Sequence, residues 1–280
     1  MMLSSSKINN SFKPLFFDIT DSLSKIELSN LIATIPSISI YDEILGQLEE
    51  LIKLRNPKLK FSQENLTQEI NRHLKNTPIQ DYGVWVFYPW SNRLVHLLGE
   101  KEFVEVRTNR NQYKITPEEE DVLVKKKIGI IGLSVGKAIA TTIALERICG
   151  ELVLADFDVV ELSNLNRIQT GVQNFGVKKT IITAREIAEI DPFLKVNCFH
   201  EGITEDNIDE FFTLNGNLYI CIEVCDGFST KIVSRQKAKE LGIPVVMDTN
   251  DRGMIDVERF DLEPKRPIFH GLIDHLDFDK

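Results

Sequence analysis

Across the first hundred residues, apolar positions recur mostly with a helical period. In IYDEILGQLEELIKL (40–54), Ile44, Leu45, Leu48, Leu51 and Ile52 fall on one helical face, and the helix is expected to stop before Pro57. SQENLTQEINRHLKN (62–76) predicts a second amphipathic helix opening at Ser62. YGVWVFYPWSNRLVHLL (82–98) predicts two strands around a Pro-Trp-Ser-Asn turn. Trp85 and Trp90 fit core or domain-contact positions better than a ligand cage, and nothing here forms a catalytic constellation. From about residue 116 the pattern changes. TPEEEDVLVKKK predicts a short helix. Thr116 is placed to cap it, Pro117 suits its first turn, Glu119 completes a capping box, and acids precede lysines along the dipole. Short apolar runs then alternate with helical segments. The strands are KIGIIG, ELVLAD, KVNCFH, LYICIEV and PVVMDTN. The helices run over about 135–148, 177–190, 207–212 and 228–241.

Alternation of this kind predicts an α/β fold, a doubly wound, Rossmann-like, mostly parallel sheet, with a mostly helical N-terminal accessory region. The expected division is 1–100 and 101–280. The strands are continuous apolar runs, as expected where helices cover both faces. Ligands of such sheets bind at the carboxyl ends of the strands, near the switch point.

Composition narrows the function. The 280 residues are 42% hydrophobic, enough for a sizeable core, and the formal net charge of −9 argues against a nucleic-acid partner. No stretch approaches the roughly 18 apolar residues of a membrane span, and the N-terminus lacks a signal-peptide run, so a soluble cytoplasmic protein is expected. The cysteines are Cys149, Cys198, Cys221 and Cys225. The Cys-x3-Cys pair has no second pair or histidine cluster beside it, so zinc is not expected, and a structural disulfide is not expected in a reducing compartment.

The candidate chemistry starts at IGIIGLSVGKAIATTIALE (128–146), a strand, a glycine turn and a helix. Gly132 ends the strand and Gly136 opens the helix, whose unpaired amides suit an anion. Asp156 ends the next strand, where an acid accepts hydrogen bonds from ribose hydroxyls. A nicotinamide-dinucleotide enzyme and a merely packed βα turn both satisfy that much.

The next segment, ADFDVVELSNLNR (155–167), goes further. Asp156, Asp158, Ser163, Asn164, Leu165 and Arg167 resemble, in order and spacing, the signature of the ThiF, MoeB and HesA family of adenylating proteins, which includes the ubiquitin-activating enzymes. FGVKK resembles the family's Gly-x-x-Lys and places its lysine at Lys179, with Lys178 as the alternative. IEVCDGFSTK resembles the family's Cys-Thr-Asp-Asn and places its acid at Asp226. VRTNRNQYKITPEEEDVLVKKKIGIIG resembles the family's lead-in, and the likeness covers residues 104 to about 260.

The resemblance implies an ATP-dependent adenylyltransferase that joins a carboxylate to the α-phosphate of ATP and expels pyrophosphate. Arg167 and Lys179 would bind the triphosphate, Asn164 the phosphate or ribose, and Asp156 the ribose. Asp158 would orient the loop or touch the metal, and Asp226 would hold Mg²⁺. Arg110 would reach into the second subunit of a homodimer, with Arg107 and Arg252 as alternatives. Lys137, at the helix start, is expected to be solvated. The acceptor implied is a carboxylate such as the C-terminus of a small ubiquitin-like or carrier protein, and neither nucleic acid nor membrane is a partner.

Three features depart from the family. Gly-Leu-Ser-Val-Gly shortens the glycine loop and puts Ser134 where glycine allows close phosphate approach. No cysteine follows Cys225, which leaves the thioester step of some members without a residue. The chain ends soon after the last strand read, and resembles a bacterial branch in which this domain precedes a nitroreductase-like region, so a truncated or short form is expected. A non-catalytic nucleotide-binding or scaffold module and an NAD(P)-dependent oxidoreductase stay open as alternatives.

Overall fold

The computed structural model describes residues 8–249 and 253–276. The chain divides into two units, one of residues 11–117 and one of residues 118–276 together with 8–10. The division expected at residue 100 falls inside the first unit, whose end at residue 117 lies near the change of pattern at about residue 116.

That unit contains β1 (Leu15–Phe17), α1 (Ser22–Thr34), β2 (Ser39–Asp42), α2 (Ile44–Arg55), α3 (Gln63–Leu74), β3 (Val84–Tyr88), β4 (Arg93–Leu97) and α4 (Glu100–Thr108). Helices α2 and α3 form where periodicity puts them. Ile44, Leu48, Leu51 and Ile52 pack with Leu66, Ile70 and Leu74 in one core cluster, and Ser62 caps α3 through the Asn65 amide at 3.2 Å. Leu45 is the exception. It is 51% exposed, because a helix beginning at Ile44 turns its neighbour about 100° away from the core. Ile40 to Asp42 are strand rather than helix, pairing in parallel with β4. The two strands read from sequence are therefore the centre of a four-stranded sheet of order β1-β3-β4-β2. Trp85 stacks on the buried His96 with ring centroids 4.3 Å apart, and Tyr88 meets Trp90 edge-on.

Helix α5 (Pro117–Leu123) starts at the boundary between the units and ends before Lys125, Lys126 and Lys127, so these lysines do not cap its last turn. Lys127 instead opens β5 (Lys127–Ile131), and its buried ammonium donates to the Leu214 and Gly216 carbonyls. There follow α6 (Gly136–Glu146), β6 (Glu151–Ala155), α7 (Lys179–Ile190), β7 (Lys195–Phe199), α8 (Ile208–Thr213), β8 (Ile220–Glu223), α9 (Phe228–Leu241), β9 (Val245–Asp248) and β10 (Ile255–Glu258). The sheet order is β10-β9-β8-β5-β6-β7. All pairs are parallel except β10 with β9, and β10 is a strand the sequence pattern did not announce.

The chain runs outward from β5 through β6 to β7, then returns to β8 on the other side of β5. The switch point therefore lies between β5 and β8, where a ligand crevice is expected. One face of the sheet is sealed by α6 and α7 through Ala140, Ile143, Ala144 and Ile187. The other is sealed by Phe211 and Phe212 of α8 and Ala238 of α9.

No helix among the described residues is long and apolar enough to cross a membrane, and all four cysteines are free thiols. Burial pushes the Cys149 thiol up to about 12 and the Cys221 thiol higher still.

Gly129, in the middle of β5, tests the packing. A Cβ there would overlap Leu218 Cδ1 and come within 3.0 Å of Phe211 Cζ. Gly129→Ala is expected to lower unfolding stability by about 1–3 kcal/mol, read by urea denaturation.

Candidate nucleotide site

The glycine turn is shaped by the backbone across from it. Gly132 has φ +91°, and a Cβ on it would lie 2.8 Å from both the Cys225 amide and the Val224 carbonyl. Only glycine tolerates both the conformation and the approach. Gly136 has a different reason to be glycine, since a Cβ would press on Ile130 Cγ2 at 2.8 Å where α6 starts over the sheet. No side chain caps the N-terminus of α6.

Asp156 follows β6 and is 8% exposed. Its carboxylate accepts from two loops. The Leu133 amide of the glycine turn donates to Oδ2 at 2.6 Å, and the Asp158 amide donates to Oδ1 at 2.8 Å. Burial raises its pKa above the ordinary carboxylate value; the two amide bonds and Lys179 oppose that shift.

These loops border a cavity of about 160 Å³ at the carboxyl ends of β5, β6 and β8. Gly132 and Ser134 line it from the first loop, and Asp156, Phe157 and Asp158 from the second. Asp226 and Gly227 line it from the third, and Arg167 from the turn beyond. The 67%-exposed Phe157 and the half-buried Ile203 give it apolar surface.

Lys179 is 3% exposed and opens α7. Its ammonium donates to Asp158 Oδ2 at 2.6 Å and to Ser134 Oγ at 3.1 Å, so it touches the cavity through two lining residues. Lys178 is turned elsewhere, donating to the Phe157 and His200 carbonyls at 2.9 and 3.0 Å. Arg167 is exposed and leans on the Asn166 side-chain oxygen at 3.0 Å. Asp226 is exposed, and its carboxylate has no hydrogen bond or ion pair among the described residues.

Asn164 lies apart from the cavity lining. It is buried, and its Oδ1 accepts from the Glu161 amide at 3.0 Å, closing the turn that presents Arg167. Lys137 is not solvated. Its stem is buried where α6 meets α7, and its ammonium pairs with Glu186. Arg110 is an exposed residue of the 3₁₀ turn Asn109–Asn111 in the other unit, and Arg107 is half-buried there. Arg252 lies outside the described residues.

The pattern along the chain missed one group. Glu223 at the end of β8, Arg235 on α9 and Glu258 on β10 are each 0% exposed and joined by ion pairs. Arg235 stands inside α9, where its local bond is to the Lys231 carbonyl at 3.2 Å, and its acids stand on two other elements. Among the described residues no three histidine, cysteine or acidic side chains form a metal cluster. The carboxylate of Asp226, which lines the cavity and has no partner among the described residues, nevertheless has the oxygen chemistry that a hard cation would need.

The sequence matches the ThiF family over residues 107–274. It is 44% identical over 245 residues to "Uncharacterized protein MT1398" of Mycobacterium tuberculosis, covering 88% of this chain and 32% of that one. It is 34% identical over 91 residues to "Ubiquitin-like modifier-activating enzyme 5" of Drosophila willistoni, covering 32% of this chain and 22% of that one. It is 25% identical over 156 residues to "tRNA threonylcarbamoyladenosine dehydratase" of Bacillus subtilis, covering 55% of this chain and 60% of that one. The chain thus spans less than two thirds of the length of these relatives. With the family match covering more than half of its residues, the chain belongs to the ThiF family.

Proposed function

We propose that this protein binds ATP in the cavity at the β5–β8 switch point and adenylates a carboxylate. One observation carries the reading. A single cavity gathers a glycine turn, the uncapped start of α9, a ribose-type acid, an arginine and an acid without a partner among the described residues, with a buried lysine tied to its wall. Both reactants are anions, so the site needs positive charge held in fixed geometry.

Arg167 binds the phosphates as a planar donor, and Lys179 contributes a point charge once phosphate competes with Asp158 for it. Asp156 takes the ribose hydroxyls with the lone pairs its two amides leave over. Mg²⁺, when bound at Asp226, neutralises phosphate charge. The acceptor is read as the C-terminal carboxylate of a small ubiquitin-like or carrier protein. The protein is read as a cytoplasmic homodimer in which the exposed Arg110 of one copy serves the site of the other. Residues 11–117 are the candidate selector of the acceptor.

A second reading is a nucleotide-binding module without chemistry. It is favoured by the occupied Leu133 amide, which in this shortened loop already faces Asp156 rather than a phosphate.

Calorimetric titration with ATP·Mg²⁺ and, separately, NAD⁺ tests the site. Arg167→Ala is expected to weaken ATP by about ten- to a hundredfold, the contribution of a charge-assisted hydrogen bond, without changing the melting temperature of the free protein. Binding of NAD⁺ and not ATP would sink the adenylation reading. Carboxylate-dependent pyrophosphate exchange separates it from the module without chemistry.

The pH dependence follows from Asp156. Its ionised form accepts the ribose hydroxyls, and burial moves its protonation upward. Affinity for ATP is therefore full at neutral pH and falls as pH drops through a value above the ordinary ~3.9. Asp156→Asn is expected to bind weakly at every pH and to flatten that profile in titrations from about pH 8 to about pH 4.

A further inference from the structure

The loop that carries Asp226 is anchored from below. Glu223 ends β8 three residues before Asp226, and its carboxylate meets three donors. Oε1 accepts from the Cys225 amide at 3.0 Å and from the Lys231 ammonium at 2.8 Å, and Oε2 accepts from Arg235 Nη1 at 2.7 Å. Arg235 is held in turn. Its Nε donates to Glu258 Oε2 at 2.6 Å, its Nη2 lies 3.3 Å from the Met247 sulfur, and its plane sits 4.1 Å from the Phe269 ring centroid. Two buried carboxylates thus face two cations, and the network joins β8, α9 and β10.

Stability alone is a poor reason for such a group. Well-packed apolar side chains of similar volume stabilise a core as well or better, because burying charge carries a large desolvation cost. What the ions add is direction. The Glu223 carboxylate fixes the Cys225 amide, and that amide is the atom against which Gly132 leaves no room for a Cβ.

We propose that Glu223 and Arg235, braced by Lys231 and Glu258, are positioning residues that hold the Cys225–Gly227 loop against the glycine turn and so set where Asp226 stands in the nucleotide site. This rests on the nucleotide reading above. It makes β10, at the far edge of the sheet, part of the site's support. In Glu223→Gln one acceptor oxygen becomes a donor, so Arg235 at Oε2, or Cys225 and Lys231 together at Oε1, lose their acceptor while the side chain keeps its shape. Lys231→Met removes one arm only and leaves the Arg235 pairs in place.

The test is amide hydrogen exchange over residues 224–228, together with ATP titrations at varied Mg²⁺ and AMP titrations without metal, on the full chain. Exchange of the Cys225–Gly227 amides is expected to rise about tenfold in Glu223→Gln, the loss of one buried hydrogen bond, and less in Lys231→Met. The Mg²⁺ concentration for half-maximal ATP binding is expected to rise several-fold while AMP affinity stays within about twofold, since AMP lacks the outer phosphates whose charge a cation at Asp226 would neutralise. Unchanged loop exchange in both variants overturns the proposal, and so does a loosened loop with unchanged Mg²⁺ dependence. Exchange needs no nucleotide. A wild-type chain that fails to bind ATP would therefore overturn the nucleotide reading, while the exchange rates still decide whether the network holds the loop.

Discussion

The carboxylate of Asp156 ties the glycine turn to the loop after β6, through amide bonds of 2.6 and 2.8 Å, and the cavity is built around that junction. A buried carboxylate is held in place only if its oxygens are satisfied. Here the two loops that must be brought together supply the donors. Gly132 makes the third side possible, because a backbone without a Cβ lets the end of β8 pass directly across the turn. The three loops at the switch point are thus fixed by backbone contacts, and the charged side chains of the site are mounted on them.

Charge is treated unequally in this unit. Lys137, Arg147 and Lys179 are buried and pair with Glu186, Asp191 and Asp158 respectively. The first pair joins α6 to α7, and the second joins the residues that end those two helices. The third differs because Asp158 is half-exposed at the cavity wall, so under the proposed function a phosphate in the cavity would compete with it for the lysine. Arg167 and Asp226, the most open charges of the site, have few or no partners among the described residues. Exposed and weakly held charge is what an incoming polyanion and its counter-ion require, and buried paired charge is what keeps their supports rigid.

The shortened glycine loop changes the division of labour. A longer loop offers several free amides to phosphate. Here one amide is committed to Asp156, and Ser134 sits where a glycine would let a phosphate approach. The hydroxyl of Ser134 already meets Lys179, so serine joins the cation to the loop rather than leaving a bare backbone cradle. Under the proposed function, positive side chains more than amides would therefore meet the phosphates.

Much of this is legible in the sequence, and the reason is local. An apolar period reports the face each element buries, so α2, α3, the parallel strands and the helices between them follow from spacing. Glycine, acid and arginine just beyond the apolar runs mark the loops at the strand ends. The order Asp156, Asp158, Ser163, Asn164, Arg167 carries the family. What the tertiary structure alone decided involves partners far apart in the chain. Short, exposed β2 becomes strand because β4 offers it hydrogen bonds, and β10 because β9 does. Lys179 rather than Lys178 turns to Ser134 because the start of α7 packs beside the glycine turn. Lys137 is buried because Glu186, on another helix, meets it. Glu223, Arg235 and Glu258 read separately as a strand end, a helix charge and a tail residue. Their meeting is a property of the folded sheet, because an ion pair across three elements leaves no period in any one of them.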